Sequence, residues 1–232
     1  MLQISQLDIA PGQAARLRTV TWQQYKKILK DLGTRRTARI AYYDGRLEIM
    51  VPSTRNEDDK EIISDLMKVL MEERHIDFRA LGSTTFERRS DLTAIEPDQC
   101  FYIQHEQMIR GKHRIDLKVD PPPDLVVEIN KETHSHFEIS SDISPDISKE
   151  IYETLKVAEF WRFGQAGLSM YQLCLGKYVE VDESPLFPSL PIKDLLPYCL
   201  EQSRTLGRNV VVRDFRQWVR DNFRASIRHS AQ

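Results

Sequence analysis

Acidic side chains set against strand-forming runs are where this sequence could do chemistry. Glu96-Pro97-Asp98 leads into Gln99-Cys100-Phe101-Tyr102-Ile103, and Pro121-Pro122-Pro123-Asp124 leads into Leu125-Val126-Val127-Glu128-Ile129. Proline is tolerated where a strand begins but not inside a central one, so both runs read as strands that prolines open. Paired antiparallel, they bring Asp98 beside Glu128 and leave Asp124 at the far end, roughly 13 Å away for four residues at about 3.3 Å each. A third group of acids, Glu57-Asp58-Asp59, stands at the head of a helical stretch. An acid on a helix, one opening a strand and one closing the next are the oxygen ligands that a hard divalent ion takes. Such an ion lowers the pKa of bound water and offsets charge on a phosphate, while a nearby lysine positions the nucleophile and adds positive charge. The chemistry this points to is phosphodiester hydrolysis.

The elements that must position these acids follow from local signals. Thr21-Trp22-Gln23-Gln24 has the form of a capping box and starts a helix that runs to Leu32, with Gly33 as its stop. Its Trp22, Tyr25, Ile28 and Leu29 share one face. Arg39 to Tyr43 and Arg46 to Val51 flank Asp44-Gly45, a strong hairpin signal. Asn56 to Arg74 reads as a helix with Ile62, Ile63, Leu66, Met67 and Leu70 at helical spacing. Asp77 to Arg89 looks extended, and a polar hairpin or loop through Lys112 and His113 joins the two acid-bearing strands. The continuously apolar Leu125-Val126-Val127 suits a strand covered on both faces. Asn130 to Asp146, without clear periodicity, reads as a loop. Ile147 to Lys156 reads as a helix, followed by strands at Phe160 to Phe163, Leu168 to Leu173 and Lys177 to Val181. A proline-rich connection (Pro185 to Pro191) leads to helices at Ile192 to Gln202 and Asn209 to Arg224, the last with Val212, Phe215, Val219 and Phe223 in one stripe.

The 232 residues suffice for one substantial core, and the expected organisation is a single domain over 1–232, with a core at about 20–182 and a helical C-terminal extension at about 183–232. With 41% hydrophobic and 29% charged residues, the composition is that of an ordinary globular protein rather than a disordered or fibrous one. The net charge of -2 offers no whole-molecule attraction to a polyanion, so any nucleic-acid contact must come from local basic clusters. Cys100, Cys174 and Cys199 form no CxxC pair, which argues against a zinc knuckle or a disulfide framework, and they read as buried thiols. No apolar run approaches the roughly 20 residues of a membrane span, and the N-terminus lacks the regions of a signal peptide. The expected location is the cytoplasm, with no membrane contact.

Several stretches together resemble a known family. Arg46-Leu47-Glu48-Ile49-Met50-Val51-Pro52-Ser53, Asn56-Glu57, Gly82-Ser83-Thr84-Thr85, Glu96-Pro97-Asp98 with Phe101-Tyr102-Ile103, Pro122 to Ile129, and Tyr152 through Val157-Ala158-Glu159-Phe160-Trp161-Arg162 resemble, in order and spacing, the Uma-two (Uma2) family of the PD-(D/E)xK nuclease superfamily. The match spans about residue 20 to residue 220. The resemblance implies an α/β fold with a restriction-endonuclease-like mixed central sheet flanked by helices, here with an N-terminal hairpin and a C-terminal strand and helix extension. It also implies a Mg2+-dependent active site, with Mn2+ as a substitute, acting on DNA. The family pattern places the helix acid at Glu57, the strand acids at Asp98 and Glu128, and all three around the metal. Periodicity alone favours Asp58 over Glu57, because Asp58 lies four residues before Ile62. The histidine that precedes the helix acid in the family is replaced by Asn56. The strand lysine is also missing: Glu128-Ile129-Asn130 ends in Asn. In the family the lysine is moved to the following helix, four residues before the tyrosine; that position is Ser148 here, so Lys149 is the expected catalytic lysine, with Lys131 as the substitute.

Each residue also has a plain structural explanation. Asp98 after a proline suits a turn acid bonded to its own backbone; Glu128 would need a partner or a metal to close an apolar strand; Glu57 suits the helix macrodipole. His134 and His136 lack a third ligand at fixed spacing and read as loop residues. Arg35, Arg36, Arg39, Arg88 and Arg89 could grip phosphates, with surface solvation the expected role for most of them. The expected function is therefore a metal-dependent DNA endonuclease in which Glu57, Asp98, Glu128 and Lys149 act together, in a homodimer whose two sites match the two strands of a duplex. The alternative is a nuclease-fold protein that binds nucleic acid or a protein partner without cutting it.

Overall fold

A computed structural model describes residues 9–33, 37–82, 84–129 and 147–230, with side chains as far as residue 222. The first described elements are β1 (Gln13–Leu17) and α1 (Trp22–Leu32), and α1 opens on the expected capping box: the Thr21 hydroxyl accepts from the Gln24 amide and the Gln24 side chain accepts from the Thr21 amide. The strands β2 (Arg39–Tyr43) and β3 (Arg46–Val51) form the hairpin. Asp44 and Gly45 both have positive φ, 42° and 82°, the geometry of the tight turn that matches strand twist. The hairpin belongs to a larger unit. An antiparallel five-stranded sheet runs β1-β3-β2-β6-β5, with β5 at Phe86–Arg88 and β6 at Thr93–Ile95.

The second sheet has six strands in the order β11-β10-β9-β8-β7-β4. Its members are β4 (Arg79–Leu81), β7 (Gln99–Tyr102), β8 (Leu125–Ile129), β9 (Glu159–Gly164), β10 (Gly167–Cys174) and β11 (Lys177–Val181). Only β8 and β9 run parallel, which makes the sheet mixed. The extended run at 77–89 is thus two strands, β4 and β5, in two different sheets. Residues 96–98 cross back. A strand pattern reports only that a segment is extended, whereas its sheet depends on partners distant in sequence. The joining segment between β7 and β8, expected as hairpin or loop, also holds a one-turn helix, α3 (Glu106–Ile109).

Helices cover both faces of the six-stranded sheet. One face is closed by α2 (Thr54–Glu73), α5 (Ile192–Leu206) and α6 (Arg208–Ser230), whose Ile63, Leu66, Leu70, Leu196, Phe215 and Val219 share a core with Leu125, Val127, Ile129 and Trp161. The Phe215 and Val219 stripe is therefore core; Phe223 lies outside the residues whose side chains are described. The other face is closed by α4 (Ile147–Leu155), where Ile151, Tyr152 and Leu155 pack with Cys100, Tyr102, Val126 and Phe160. Leu125, Val126 and Val127 have no exposed surface, as a strand covered on both sides requires. Cys100 and Cys199 are buried, but Cys174, at the end of β10 before a turn, is exposed.

Candidate active site

Asp98 sits on the crossing from β6 to β7, where the two sheets meet. The β7 and β8 strands pair antiparallel, with Gln99 opposite Val127 and Cys100 opposite Val126, so one more step of the register sets Asp98 opposite Glu128. That is the juxtaposition the sequence predicts. Asp98 is 5% exposed, and its Oδ2 accepts from the Ile129 amide at 2.6 Å. It is not a turn acid closed on its own backbone; it ties the sheet crossing to the end of β8. Its other oxygen is paired with the guanidinium of Arg39.

Arg39 opens β2 in the five-stranded sheet and is 7% exposed. Its Nη2 lies 2.5 Å from Glu57 Oε1 in the first turn of α2, so one buried cation links the helix acid to the strand acid. Arg39 is thus an exception to the surface solvation expected of most of the arginines that could grip phosphates. Lys60, one turn after Glu57 and with only 12% of its side chain exposed, pairs with the second Glu57 oxygen. The helix phase differs from the sequence expectation. Asp58 is exposed, while Asp59, four residues before the fully buried Ile63, is 2% exposed and accepts from Arg204 on α5 at 3.1 and 3.2 Å. The apolar face is centred on Ile63 rather than Ile62, which turns Asp59 inward as a structural acid and leaves Glu57 facing Arg39.

Glu128 accepts from the hydroxyl of Tyr152 on α4. Burial, then the Glu128 carboxylate, pushes the Tyr152 phenol far above its ordinary pKa, so it stays protonated and donates. Burial likewise raises the Cys100 thiol on the same face, which keeps it unreactive. On the other side of Glu128, Arg162 of β9 is its in-register neighbour, and the Arg162 guanidinium lies 5.0 Å from the Phe160 ring centroid. Lys149, in the first turn of α4, places its ammonium over the Tyr171 ring, 4.3 Å from the centroid. Lys131, Asn130, His134 and His136 lie outside the described residues, as do Arg35 and Arg36.

The acids thus gather at one end of the β7 and β8 pair in two groups: Glu57 and Asp98 through Arg39, and Glu128 through Tyr152. Among the described residues, no three His, Cys, Asp or Glu side chains form a ready-made metal cage. The donor chemistry nonetheless fits a hard divalent ion, since three carboxylates supply only oxygen. Asn56 adds a further oxygen: it is 6% exposed, and among the described residues its buried Oδ1 has no hydrogen-bond partner, a state that costs about 1–3 kcal/mol unless something supplies positive charge. Sequence reasoning named Arg39 only among the arginines that could grip phosphates, not as a partner of the acids, and it missed Lys60. Lys60 had a visible signal, its spacing of three from Glu57; Arg39, at the start of an ordinary hairpin, had none.

The family described as "putative restriction endonuclease", Uma2, matches residues 22–205. The crystal structure of a "putative nuclease belonging to DUF820" from Anabaena variabilis ATCC 29413 is similar with 20% identity and a TM-score of 0.48, over 78% of this chain and 99% of that one. No curated protein matches the chain.

Proposed function

The chain belongs to the Uma2 family, and on that premise we propose that it is a Mg2+-dependent endonuclease that hydrolyses DNA phosphodiester bonds, with Mn2+ able to substitute. The observation that carries this reading is the register that sets Asp98 opposite Glu128 at the end of two buried central strands, with Glu57 brought to Asp98 through Arg39. Asp98, Glu128 and Glu57 would hold the ion. When bound, it would polarise the phosphate and lower the pKa of a water molecule. The chain's own groups divide the remaining work. The Ile129 amide fixes the Asp98 carboxylate and the Tyr152 hydroxyl orients Glu128, while Lys149, one helical turn before Tyr152, would have to leave the Tyr171 ring to bring positive charge to the scissile phosphate. Two copies related by a dyad would present one site to each strand of a duplex.

One observation favours a second reading, a nuclease-fold protein that binds without cutting: Arg39 and Lys60 already give Glu57 and Asp98 the positive charge that a metal would bring. Supercoiled plasmid separates the two. With Mg2+ or Mn2+ the purified protein is expected to nick or linearise it, and the Asp98→Ala protein to do so at least about a hundredfold more slowly, since even outer-shell partners of a metal are worth 10–100-fold. Equal cleavage by both proteins, or none by either, overturns the hydrolytic reading.

A further inference from the structure

Three clefts on the molecule adjoin one another through shared residues. One of about 800 Å3 lies between α1 and the Asp44-Gly45 turn, and it shares Trp22 and Arg89 with a second of about 510 Å3 bounded by β5 and residues 113–118. The second shares Lys118 with a third of about 620 Å3 that reaches Thr154 and Lys156 at the end of α4. The middle cleft also reaches Thr85, whose hydroxyl donates to Glu96 Oε1 at 2.6 Å, two residues before Asp98. The trough therefore touches, through Thr85, the crossing that leads to the strand acid, while Glu57, Asp98 and Glu128 themselves line none of the three clefts.

Its charge differs from that of the rest of the surface. Elsewhere most exposed cations meet a carboxylate: Arg16 pairs with Glu48, Lys177 with Glu153, Lys193 with Asp182, Arg208 with Asp65 and Arg220 with Glu73. Along the trough, Arg89, His113, Arg114, Lys118 and Lys156 are all exposed, and among the described residues none of their side chains meets a carboxylate. The lining acids are largely engaged with other groups: Glu87 with Lys26, Asp91 with Arg88, and Asp116 with the Lys118 amide. A protein of net charge -2 thus lines one connected concavity with four exposed Lys and Arg side chains that meet no carboxylate among the described residues, against Lys27, Lys30 and Arg55 elsewhere. Cations without partners are those free to neutralise phosphates and release condensed counterions.

We propose that this trough is the track for the phosphodiester backbone of a nucleic acid, with Arg89, Arg114 and Lys118 as its principal phosphate contacts. The proposal deepens the nuclease reading and rests on it for the choice of nucleic acid over other polyanions. The trough provides the local basic cluster that net charge alone denies, and it leads the backbone past Thr85, which bonds to the Glu96-Pro97-Asp98 crossing.

The test is fluorescence anisotropy of a labelled DNA duplex and of its single strand, in EDTA so that no cleavage occurs, between about 50 and 200 mM salt. The full-length wild type is compared with Arg89→Gln/Arg114→Gln/Lys118→Gln and with a control of equal charge change on the far helices, Lys193→Gln/Arg208→Gln/Arg213→Gln. The trough variant is expected to bind about tenfold or more weakly, and its log affinity against log salt to lose roughly 0.9 of slope per phosphate contact removed on a duplex. The control should keep both values, and circular dichroism should show all three proteins folded. Equal salt slopes for wild type and trough variant, equal losses in trough variant and control, or no binding of either DNA form by the wild type would overturn the track. Binding lost in the trough variant while wild-type plasmid stays uncut would uphold the track and sink only hydrolysis.

Discussion

At the start of β8, Asp124 accepts from the amides of Ile103 and His105 at 2.6 and 3.0 Å, while at the other end of the same strand pair Asp98 accepts one amide and faces the Arg39 guanidinium. Both acids are buried, 1% and 5% exposed. Glu159, which opens β9 beside Asp124, resembles its neighbour: Ser184 Oγ, the Leu186 amide and Trp161 Nε1 all donate to its carboxylate at 2.7 to 3.0 Å. At that end the donors are mostly backbone amides and neutral side chains, with the His105 imidazole 2.5 Å from the second Asp124 oxygen. At the Asp98 and Glu128 end they are long or hydroxylated side chains from other elements: Arg39, Lys60 and Tyr152. Burial alone therefore does not mark a reactive acid. What separates the two ends is the share of backbone amides and neutral donors at one, and of long cationic side chains that can turn away at the other.

Three substitutions would break or sharpen this contrast. The largest effect is expected from Asp124→Ala, which leaves two amides unpaired at about 1–3 kcal/mol each. Its melting temperature should fall by roughly 5–20 °C at 2–4 °C per kcal/mol, while any metal-dependent cleavage per folded molecule stays at the wild-type level. A folded Asp124→Ala protein with abolished cleavage would erase the distinction between the ends. Next comes Arg39→Met. Removing one partner of a buried ion pair costs about 3–5 kcal/mol, and in this variant millimolar Mn2+ should restore part of the lost melting temperature by binding the folded state. No greater shift with Mn2+ than in wild type would mean that Arg39 does not stand where a cation binds.

The smallest effect is a pH dependence at the Asp124 end. Burial raises the Glu159 carboxyl above its ordinary 4.5 despite its three donors. The folded protein then holds that proton more tightly than the unfolded chain, so this contribution to stability is full below 4.5 and is lost as pH rises through the elevated native value. Melting temperatures of wild type minus Glu159→Gln should accordingly decline as pH climbs from 4.5, and a difference that stays flat would refute the assignment.

Much of this was legible in the chain because the signals were local. The capping box of α1, the Asp44-Gly45 turn and the apolar run of β8 each announce themselves within a few residues, and the strand order that sets Asp98 opposite Glu128 followed from two proline-opened runs. The rest required partners far apart. The run at 77–89 gave no hint that it divides between two sheets, since both halves are simply extended. Arg39 reads as a surface residue until α2 and the crossing at Asp98 close over it. A one-residue error in the face of α2 moved attention from Asp59 to Asp58, because each step along a helix rotates a side chain by about 100°.

Thr85 and Glu96 fasten the two crossings between the hairpin sheet and the larger one into a short double strap. The hairpin turn is itself tied to α4, by Arg46 to Glu150 and by Thr154 to the Tyr43 hydroxyl. Asp98, built into the strap, is held by the Ile129 amide of the larger sheet, whereas Arg39 comes from the hairpin sheet. Any loosening between the sheets will draw the guanidinium away from the acid rather than carry both along together.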